Sequence, residues 1–444
     1  MAVGTTEQRT ALGTLVRAWR ERALLTQEQL AERAGMSARS IRRLESAEGA
    51  RPRSSSLELL ANALDLSAEE RSALTAAVQS TDQSSAVRHG KPARSAPAPP
   101  RQLPAPPPAF TGRLGESADL ERVQDASAVV IASIDGMAGV GKTALAVHAA
   151  HRLAGRYPDG QLFLDLHGYT EGVAPVEPGD ALDRVLRALG VPGEEIPREL
   201  DERAACYRSR LAGRRVLVVL DNAASEAQVA PLLPGTPGCL VIVTSRRRLA
   251  GLDHTHVVSL DVLPRRDAVA LFSEAAGRGR TAGAPDAAVA EVVELCGRLP
   301  LAVRIAAARL RARPAWSVEN LVEKLRDHRR RLVELETGSR SVAAALESSY
   351  QDLDPPVQRG YRLLGLHPGE HLDRYAAAAL LDADAGEADR LVDQLLDAHL
   401  LQEPTPGRFD FHDLVREHAR STAARDEGEP WRRAALTRLL DHYR

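Results

Sequence analysis

Lysine is almost missing from this chain. Of its 58 Lys and Arg residues, only those at 91, 142 and 324 are lysine, so arginine supplies nearly every positive charge. An ammonium retained among so many guanidinium groups marks a position where a compact point charge is wanted. Cysteine is equally scarce. Cys206, Cys239 and Cys296 lie far apart in segments that read as buried strand or helix. That excludes a disulfide framework and a cysteine metal site, and it points to a reducing cytoplasm. There is no run of about 18 apolar residues, which excludes a transmembrane helix. The N-terminus, Met1-Ala2-Val3-Gly4-Thr5-Thr6-Glu7-Gln8, is too polar for a secretory signal, so no membrane partner is expected. Net charge is also lacking: at −2 it gives no general attraction to nucleic acid, and any such affinity must come from a local patch. What remains is ordinary for a globular protein, 44% hydrophobic and 27% charged over 444 residues. That length suits about three domains.

The retained Lys142 stands in Gly136-Met137-Ala138-Gly139-Val140-Gly141-Lys142-Thr143, a complete G-x-x-x-x-G-K-[ST] phosphate-binding loop. The apolar run Val129-Val130-Ile131-Ala132-Ser133-Ile134 precedes it and Ala144-Leu145-Ala146-Val147-His148-Ala149-Ala150 follows, the strand–loop–helix context the motif needs. Backbone N–H groups from Gly136 to Ala144, with Gly139, Val140 and Gly141 between them, are expected to close around phosphate oxygens. The helix N-terminus adds its partial positive charge. Lys142 is expected to reach the β- and γ-phosphates and the Thr143 hydroxyl to ligate Mg²⁺. Downstream, Arg215-Val216-Leu217-Val218-Val219-Leu220-Asp221-Asn222 reads as a buried strand ending in a carboxylate, with Asp221 holding Mg²⁺ through water. The following Asn222 cannot take a proton, so turnover is expected to be that of a slow, switch-like Mg-dependent ATPase at most. Cys239-Leu240-Val241-Ile242-Val243-Thr244-Ser245-Arg246 is a further strand, ending in an arginine placed to sense a γ-phosphate.

Residues 7–79 read as short helices with tight connections. Thr26-Gln27-Glu28-Gln29 is a capping box, the helix it opens stops at Gly35, and Ser37 caps a second, basic helix from Ala38 to Glu45. From Trp19 to Glu45, with Leu57 to Leu64 beyond, the segment resembles the phage-repressor-like (Xre-type) helix-turn-helix family. That resemblance implies that Gln27 touches backbone phosphate while Arg39, Ser40 and Arg42 face the major groove, with Ser37 and Arg43 beside them. An arginine there can discriminate guanine by about 1–3 kcal/mol. Nine arginines against five glutamates between 17 and 53 predict weak DNA binding by one copy. Arg20 and Glu45 can also pair inside the module, and such a module can dock protein instead of DNA. Residues 80–109 have almost no large apolar side chains and are dense in Pro, Ser and Ala, which predicts an extended, mobile linker. Strands then alternate with helices to about 262, as in a parallel sheet with crossover helices. Helical periodicity follows, interrupted by one hairpin, Leu400 to Phe411, turning at Pro404-Thr405-Pro406-Gly407. Helices with one hairpin fit a winged helix.

Phe110-Thr111-Gly112-Arg113, the loop and strand motifs above, Gly297-Arg298-Leu299-Pro300-Leu301 and Phe411-His412-Asp413 stand in the order of the NB-ARC family of signal-transduction ATPases. The chain resembles that family from about 110 to 425. Arg298 and Phe411 depart from the family's usual residues. The resemblance implies a multidomain architecture: an all-α helix-turn-helix (1–79), the linker (80–109), an α/β P-loop NTPase domain with a parallel sheet (110–262), a helical ARC subdomain (263–338) and a winged helix (339–424). Residues 425–444 begin a C-terminal helical region, where Trp431 to Arg444 reads as an amphipathic helix without a partner. In relatives such a helix leads into a tetratricopeptide-type sensor. By the same resemblance Phe110, Thr111 and Arg113 border adenine and ribose, and Pro300 packs on the base. His412 holds the β-phosphate of ADP in a closed state, and Arg246 engages the γ-phosphate after exchange to ATP. The function this implies is a cytoplasmic regulator, closed with ADP and self-associating with ATP, binding a double-stranded DNA operator in response to an unknown ligand or protein. The alternative is a signalling or defence scaffold whose N-terminal module docks protein.

Overall fold

The computed structural model describes residues 15–23, 25–45, 54–67, 69–71, 98–107, 110–123, 129–253, 255–328 and 330–444, which fall in two compact units, Met1–Pro97 and Ala98–Arg444. The first eighteen residues of the expected linker, 80–97, and the side chains of Arg39 and Arg43 lie outside the described residues.

The N-terminal unit contains helical residues 15–22 (α1), Gln27–Arg33 (α2), Ala38–Glu45 (α3) and Ser54–Ala63 (α4), gathered on Val16, Trp19, Leu30, Ile41 and Leu60. The capping box forms: Gln29 N–H donates to Thr26 Oγ1 at 3.1 Å and Thr26 N–H returns to Gln29 Oε1 at 2.8 Å. Gly35 turns the chain at φ 64°, and Ser37 Oγ accepts from Ser40 N–H at 3.1 Å at the start of α3.

In the second unit, β1 (Val130–Asp135), β2 (Gly160–Asp165), β3 (Val216–Ala223), β4 (Leu240–Ser245) and β5 (Thr255–Ser259) form one parallel sheet in the order β2-β3-β4-β1-β5. Burial on both faces explains why β1, β3 and β4 read as apolar runs, while the edge strand β5 is largely exposed. Alternate residues of β3 serve two cores, Leu217 and Val219 on one side and Val216, Val218 and Leu220 on the other. Only β4 stands between β1 and β3, so the loop leaving β1 and the carboxylate ending β3 emerge at one edge, one strand apart. Helix α5 (Lys142–Leu153) follows that loop, and its Ala146, Ala149 and Ala150 are fully buried.

A helical layer follows, led by α6 (Arg265–Ala276) and α7 (Pro300–Ala312), which pack on each other. Pro300 occupies the first position of α7, where its fixed φ suits the helix and no amide hydrogen is needed. A short ribbon, β6 (Glu336–Thr337) with β7 (Arg340–Ser341), leads into α8 (Val342–Gln351). The last part carries β8 (His371–Asp373), α9 (Arg374–Leu381), β9 (Gln402–Thr405), β10 (Arg408–Asp410), α10 (Asp413–Asp426) and α11 (Glu429–His442). The expected hairpin is β9–β10, turning through Gly407 at φ 74°.

Three expectations need correction. The hairpin is one part of a three-stranded sheet, because β8 pairs antiparallel with β10. At three residues β8 is too short to leave a periodic signal. The C-terminal helix has a partner: Arg438 donates to the Ala379 and Leu380 carbonyls at 2.9 Å each, and Ala435 and Leu439 are buried against α9. The described end of the expected mobile linker is docked. Gln161 N–H donates to Pro100 O at 2.7 Å and Gln102 N–H to Gln161 O at 2.9 Å, so residues 100–102 lie along β2. β2 is an edge strand with free backbone groups, and proline is tolerated in a segment added to such an edge. Composition shows what a segment cannot bury; it does not show the edge waiting for it.

Candidate functional site

The loop between β1 and α5 wraps tightly because two of its glycines stand where a side chain has no room. A Cβ on Gly136 (φ 141°) would lie 2.6 Å from Leu260 O, and one on Gly139 (φ 79°) 2.8 Å from Leu301 Cβ. Gly141 precedes α5 with no side-chain cap, leaving the first N–H groups of the helix for an anion. Lys142 is buried and its ammonium donates to the carbonyls of Gly136 at 2.6 Å and Met137 at 2.9 Å. Burial, with the Arg246 charge adding to it, pushes the Lys142 ammonium down to about 7 against the pull of Asp221 and Asp135. Among the described residues no carboxylate pairs with it. A phosphate would supply the missing countercharge.

Across the cavity, Thr143 Oγ1 donates to Asp221 at 2.8 Å, and Thr244 Oγ1, on the strand between, reaches the same carboxylate at 2.6 Å. Burial raises the Asp221 carboxyl above its usual range despite these two hydroxyls. A buried carboxylate and a hydroxyl, both hard oxygen donors, fit Mg²⁺. Among the described residues there is no cluster of three or more His, Cys, Asp or Glu for a metal. Mg²⁺ held here would take most of its ligands from phosphate and water, as it commonly does. Asn222, at φ 59°, donates to Thr170 Oγ1 at 3.2 Å.

These groups open on a cavity of about 650 Å³. Of the residues expected at a nucleotide, it is lined by Phe110, Thr111, Arg113, Gly139 to Ala144, Asp221, Arg246 and Pro300. Phe110 stacks on His148 with ring centroids 4.1 Å apart, two turns along α5 from Lys142. Arg113 donates to the carbonyl of Asp261 and to Glu116 Oε1 at 2.9 Å, and Thr111 Oγ1 donates to Glu274 at 3.4 Å. The cavity thus holds the aromatic ring of Phe110 and the buried ammonium of Lys142 on one wall.

Two expected residues stand elsewhere. Gly136 shapes the loop from behind without lining the cavity. His412, expected on the β-phosphate, does not line it either; its Nε2 donates to Gly297 O at 2.8 Å, and a Cβ on Gly297 would lie 2.4 Å from the ring. Leu299 and Leu301, which follow Gly297, are what press on Gly139, so His412 reaches the loop at second hand. Arg246 lines the cavity, yet its Nη1 donates to Ala345 O at 2.7 Å and Ser349 Oγ at 2.8 Å, both on α8. The sequence reading missed Asp165, Tyr169, Arg304 and Arg340, all on the wall. Asp165 carried a usable signal, since it ends β2 opposite Asp221 in register. Arg304 and Arg340 come from the helical layer and the β6–β7 ribbon and carried none.

In the N-terminal unit Arg20 clasps Glu45 through both oxygens, at 2.6 and 3.1 Å. Gln27, expected on phosphate, donates its side-chain amide to Glu45 at 2.7 Å. Arg42 is exposed and pairs with Glu28 at 2.8 Å, while the Ser37 and Ser40 hydroxyls bond each other at 2.8 Å.

A parallel sheet whose first strand runs through a glycine loop into a lysine-led helix, with an aspartate one strand away, defines a P-loop NTPase. A family model described as a helix-turn-helix domain matches residues 11–74. The chain is 49% identical over 348 residues to "Regulatory protein AfsR" of Streptomyces griseus, covering 78% of this chain and 35% of that one. To the protein of the same name in Streptomyces coelicolor it is 48% identical over 356 residues, covering 78% and 36%. The chain thus spans about a third of the length of these relatives. Among solved structures, a signal transduction ATPase with a tetratricopeptide repeat sensor from Pyrococcus horikoshii aligns at TM-score 0.31 and 16% identity, over 75% of this chain and 48% of that one, which is too low to carry an argument. The chain thus carries a helix-turn-helix segment and a P-loop NTPase fold, and is similar over 78% of its length to proteins named AfsR.

Proposed function

We propose that this chain is a nucleotide-switched, DNA-binding transcription regulator of the cytoplasm, closed with ADP and self-associating with ATP. The observation that carries the reading is the cavity itself, in which Thr143 and Asp221 meet beside Lys142 and whose wall also holds Phe110 and Pro300. Mg²⁺ held near Thr143 and Asp221 would neutralise phosphate charge. The chain's own residues do the rest: loop amides and Lys142 hold the phosphates, and Phe110 and Pro300 hold the base.

The switch is read from Arg246. One guanidinium faces the cavity and also holds α8 by Ala345 and Ser349, while neighbouring Arg247 pairs with Asp352 at 3.0 Å. A γ-phosphate that draws Arg246 inward takes it from α8 and loosens the last part of the chain. Released, that part exposes surface for a second copy, and several weak helix-turn-helix units then bind DNA together by effective concentration. With Asn222 beside Asp221, hydrolysis would reset the switch slowly.

The test is to denature the purified protein and identify the released nucleotide by chromatography, then to measure DNA binding before and after exchange to ATP. ADP near one per chain, with DNA binding that rises on exchange, supports the switch. An empty protein whose DNA binding ignores ATP overturns it. The engagement of Gln27 by Glu45 favours a second reading, a protein-docking module. Negligible DNA binding at low salt would choose that reading.

A further inference from the structure

We infer that residues 98–107 are part of the ligand site: a strap that closes the base end of the cavity and through which the N-terminal unit is attached. This rests on the nucleotide reading and adds to it a segment that composition assigns to a linker.

Three observations place the strap. It is anchored to the sheet by the two backbone bonds between Gln161 and Pro100 and Gln102, and by Arg101, which donates to Gln161 Oε1 at 2.7 Å. Gly160 leaves room for it, since a Cβ there would lie 2.9 Å from the Pro100 ring. It is then tied to α5, where the ring nitrogen Nε2 of His151 meets Pro104 O at 2.7 Å. Beyond that tie, Pro104, Ala105 and Pro107 line the cavity beside Phe110. His151 is nine residues along α5 from Lys142, about 14 Å at 1.5 Å per residue, so that tie is remote from the phosphate loop.

The chemistry suits a base. Proline rings and an alanine methyl offer flat apolar surface with no donors, and the strap carries no charge at the wall. A base seated against Phe110 would bury that surface and hold Pro104 to Pro107 in place. Without it, the wall faces water on its inner side and only the edge bonds and His151 retain it. Because Ala98 is where the second unit begins, the connection to the helix-turn-helix leaves from the strap. Release of residues 98–107 would add up to about 33 Å of extended chain to that connection.

The test uses the full chain and ADP with Mg²⁺, with binding followed by calorimetry and the strap by hydrogen exchange on the same sample. The expected result is that the Gln102, Leu103 and Ala105 amides slow about tenfold when ADP binds, the sign of a locally opening segment being held shut. The double variant Arg101→Ala with Pro104→Gly should bind ADP about three- to tenfold more weakly and keep its strap amides fast. Binding with unchanged strap exchange, in the wild type, overturns the strap and leaves the nucleotide reading standing. No binding of ADP or ATP at all overturns both.

Discussion

The Thr143 hydroxyl donates to Asp221 at 2.8 Å although the two residues sit on segments separated by a whole strand. Thr244 on the intervening β4 donates to the same carboxylate oxygen at 2.6 Å, so one oxygen of Asp221 takes both hydroxyls. If this triad holds Mg²⁺ through water, Asp221→Asn should weaken Mg-nucleotide binding about ten- to a hundredfold, as loss of an outer metal partner commonly does. Binding of nucleotide in EDTA should change little. Calorimetry with and without Mg²⁺ checks this, and equal losses in both would remove the metal role from Asp221.

Lys142 is the group whose removal should silence the site. Its buried ammonium, held down to about 7 by burial, is a liability to the empty fold and an asset to a phosphate complex. The wild type should gain about 2.7 kcal/mol of stability at a hundredfold excess of ADP over Kd, and Lys142→Ala none. Thermal melting in an ADP series reads this directly. A variant that ADP still stabilises would move the phosphate away from the loop.

Much of this was legible in the chain, for identifiable reasons. The loop and its flanking strands could be read because a parallel sheet buried on both faces writes itself as apolar runs, and because positive φ and close approach demand glycine. Asp221 could be placed because it stands near the end of its own apolar strand, whereas Phe110 and Pro300 are placed by the family resemblance. His412 could not, since its partner is a backbone carbonyl at Gly297, and any residue has one. Docking of Pro100 and Pro104 escaped for the same reason: the edge of β2 and the ring of His151 lie far off in sequence. Arg304 and Arg340 escaped because only tertiary packing brings their segments to the wall.

Acid should loosen the second unit. Burial pushes the imidazoles of His367, His412 and His418 below the ordinary histidine value, so the fold keeps them neutral. The unfolded chain takes up those protons below about pH 6.5, and stability falls as pH drops through that value. Asp221, Asp352 and Glu417, raised by burial, oppose this, because the fold gains their protons before the unfolded chain does. His418→Gln isolates the histidine term at a site bounded by Tyr361 at 2.9 Å and Glu347 at 3.1 Å. Its melting temperature should drop less between pH 7.5 and 5.5 than that of the wild type. An identical drop would assign the acid sensitivity to other groups.

On the helix-turn-helix, Arg42 is the described arginine best placed to read a base. Its partner Glu28 is exposed, as it is itself, and such pairs are worth about 0–1 kcal/mol, so the guanidinium is released at little cost. A guanine contact would be worth about 1–3 kcal/mol. Arg42→Ala should therefore weaken binding to a selected operator about five- to a hundredfold while leaving random-sequence DNA nearly unaffected. Equal losses on both DNAs would make Arg42 a phosphate contact.

His412 carries the last prediction, because it joins the helical layer to the last part of the chain. Its Nε2 donates to Gly297 O at 2.8 Å and its Nδ1 accepts from Leu414 N–H at 3.3 Å, a pattern only the neutral ring with hydrogen on Nε2 can satisfy. The same ring caps α10 and fills the space beside Gly297. His412→Ala deletes both bonds, at about 0.5–1.5 kcal/mol each, without adding charge. If the ADP-bound closed form depends on this joint, the variant should self-associate and bind DNA more tightly than the wild type, with Lys142→Ala as the nucleotide-free comparison. Sedimentation and a DNA titration under the same salt give both readouts. A His412→Ala protein that melts earlier yet stays monomeric, with unchanged DNA affinity, would leave the histidine a structural cap and place the latch on Arg246 alone.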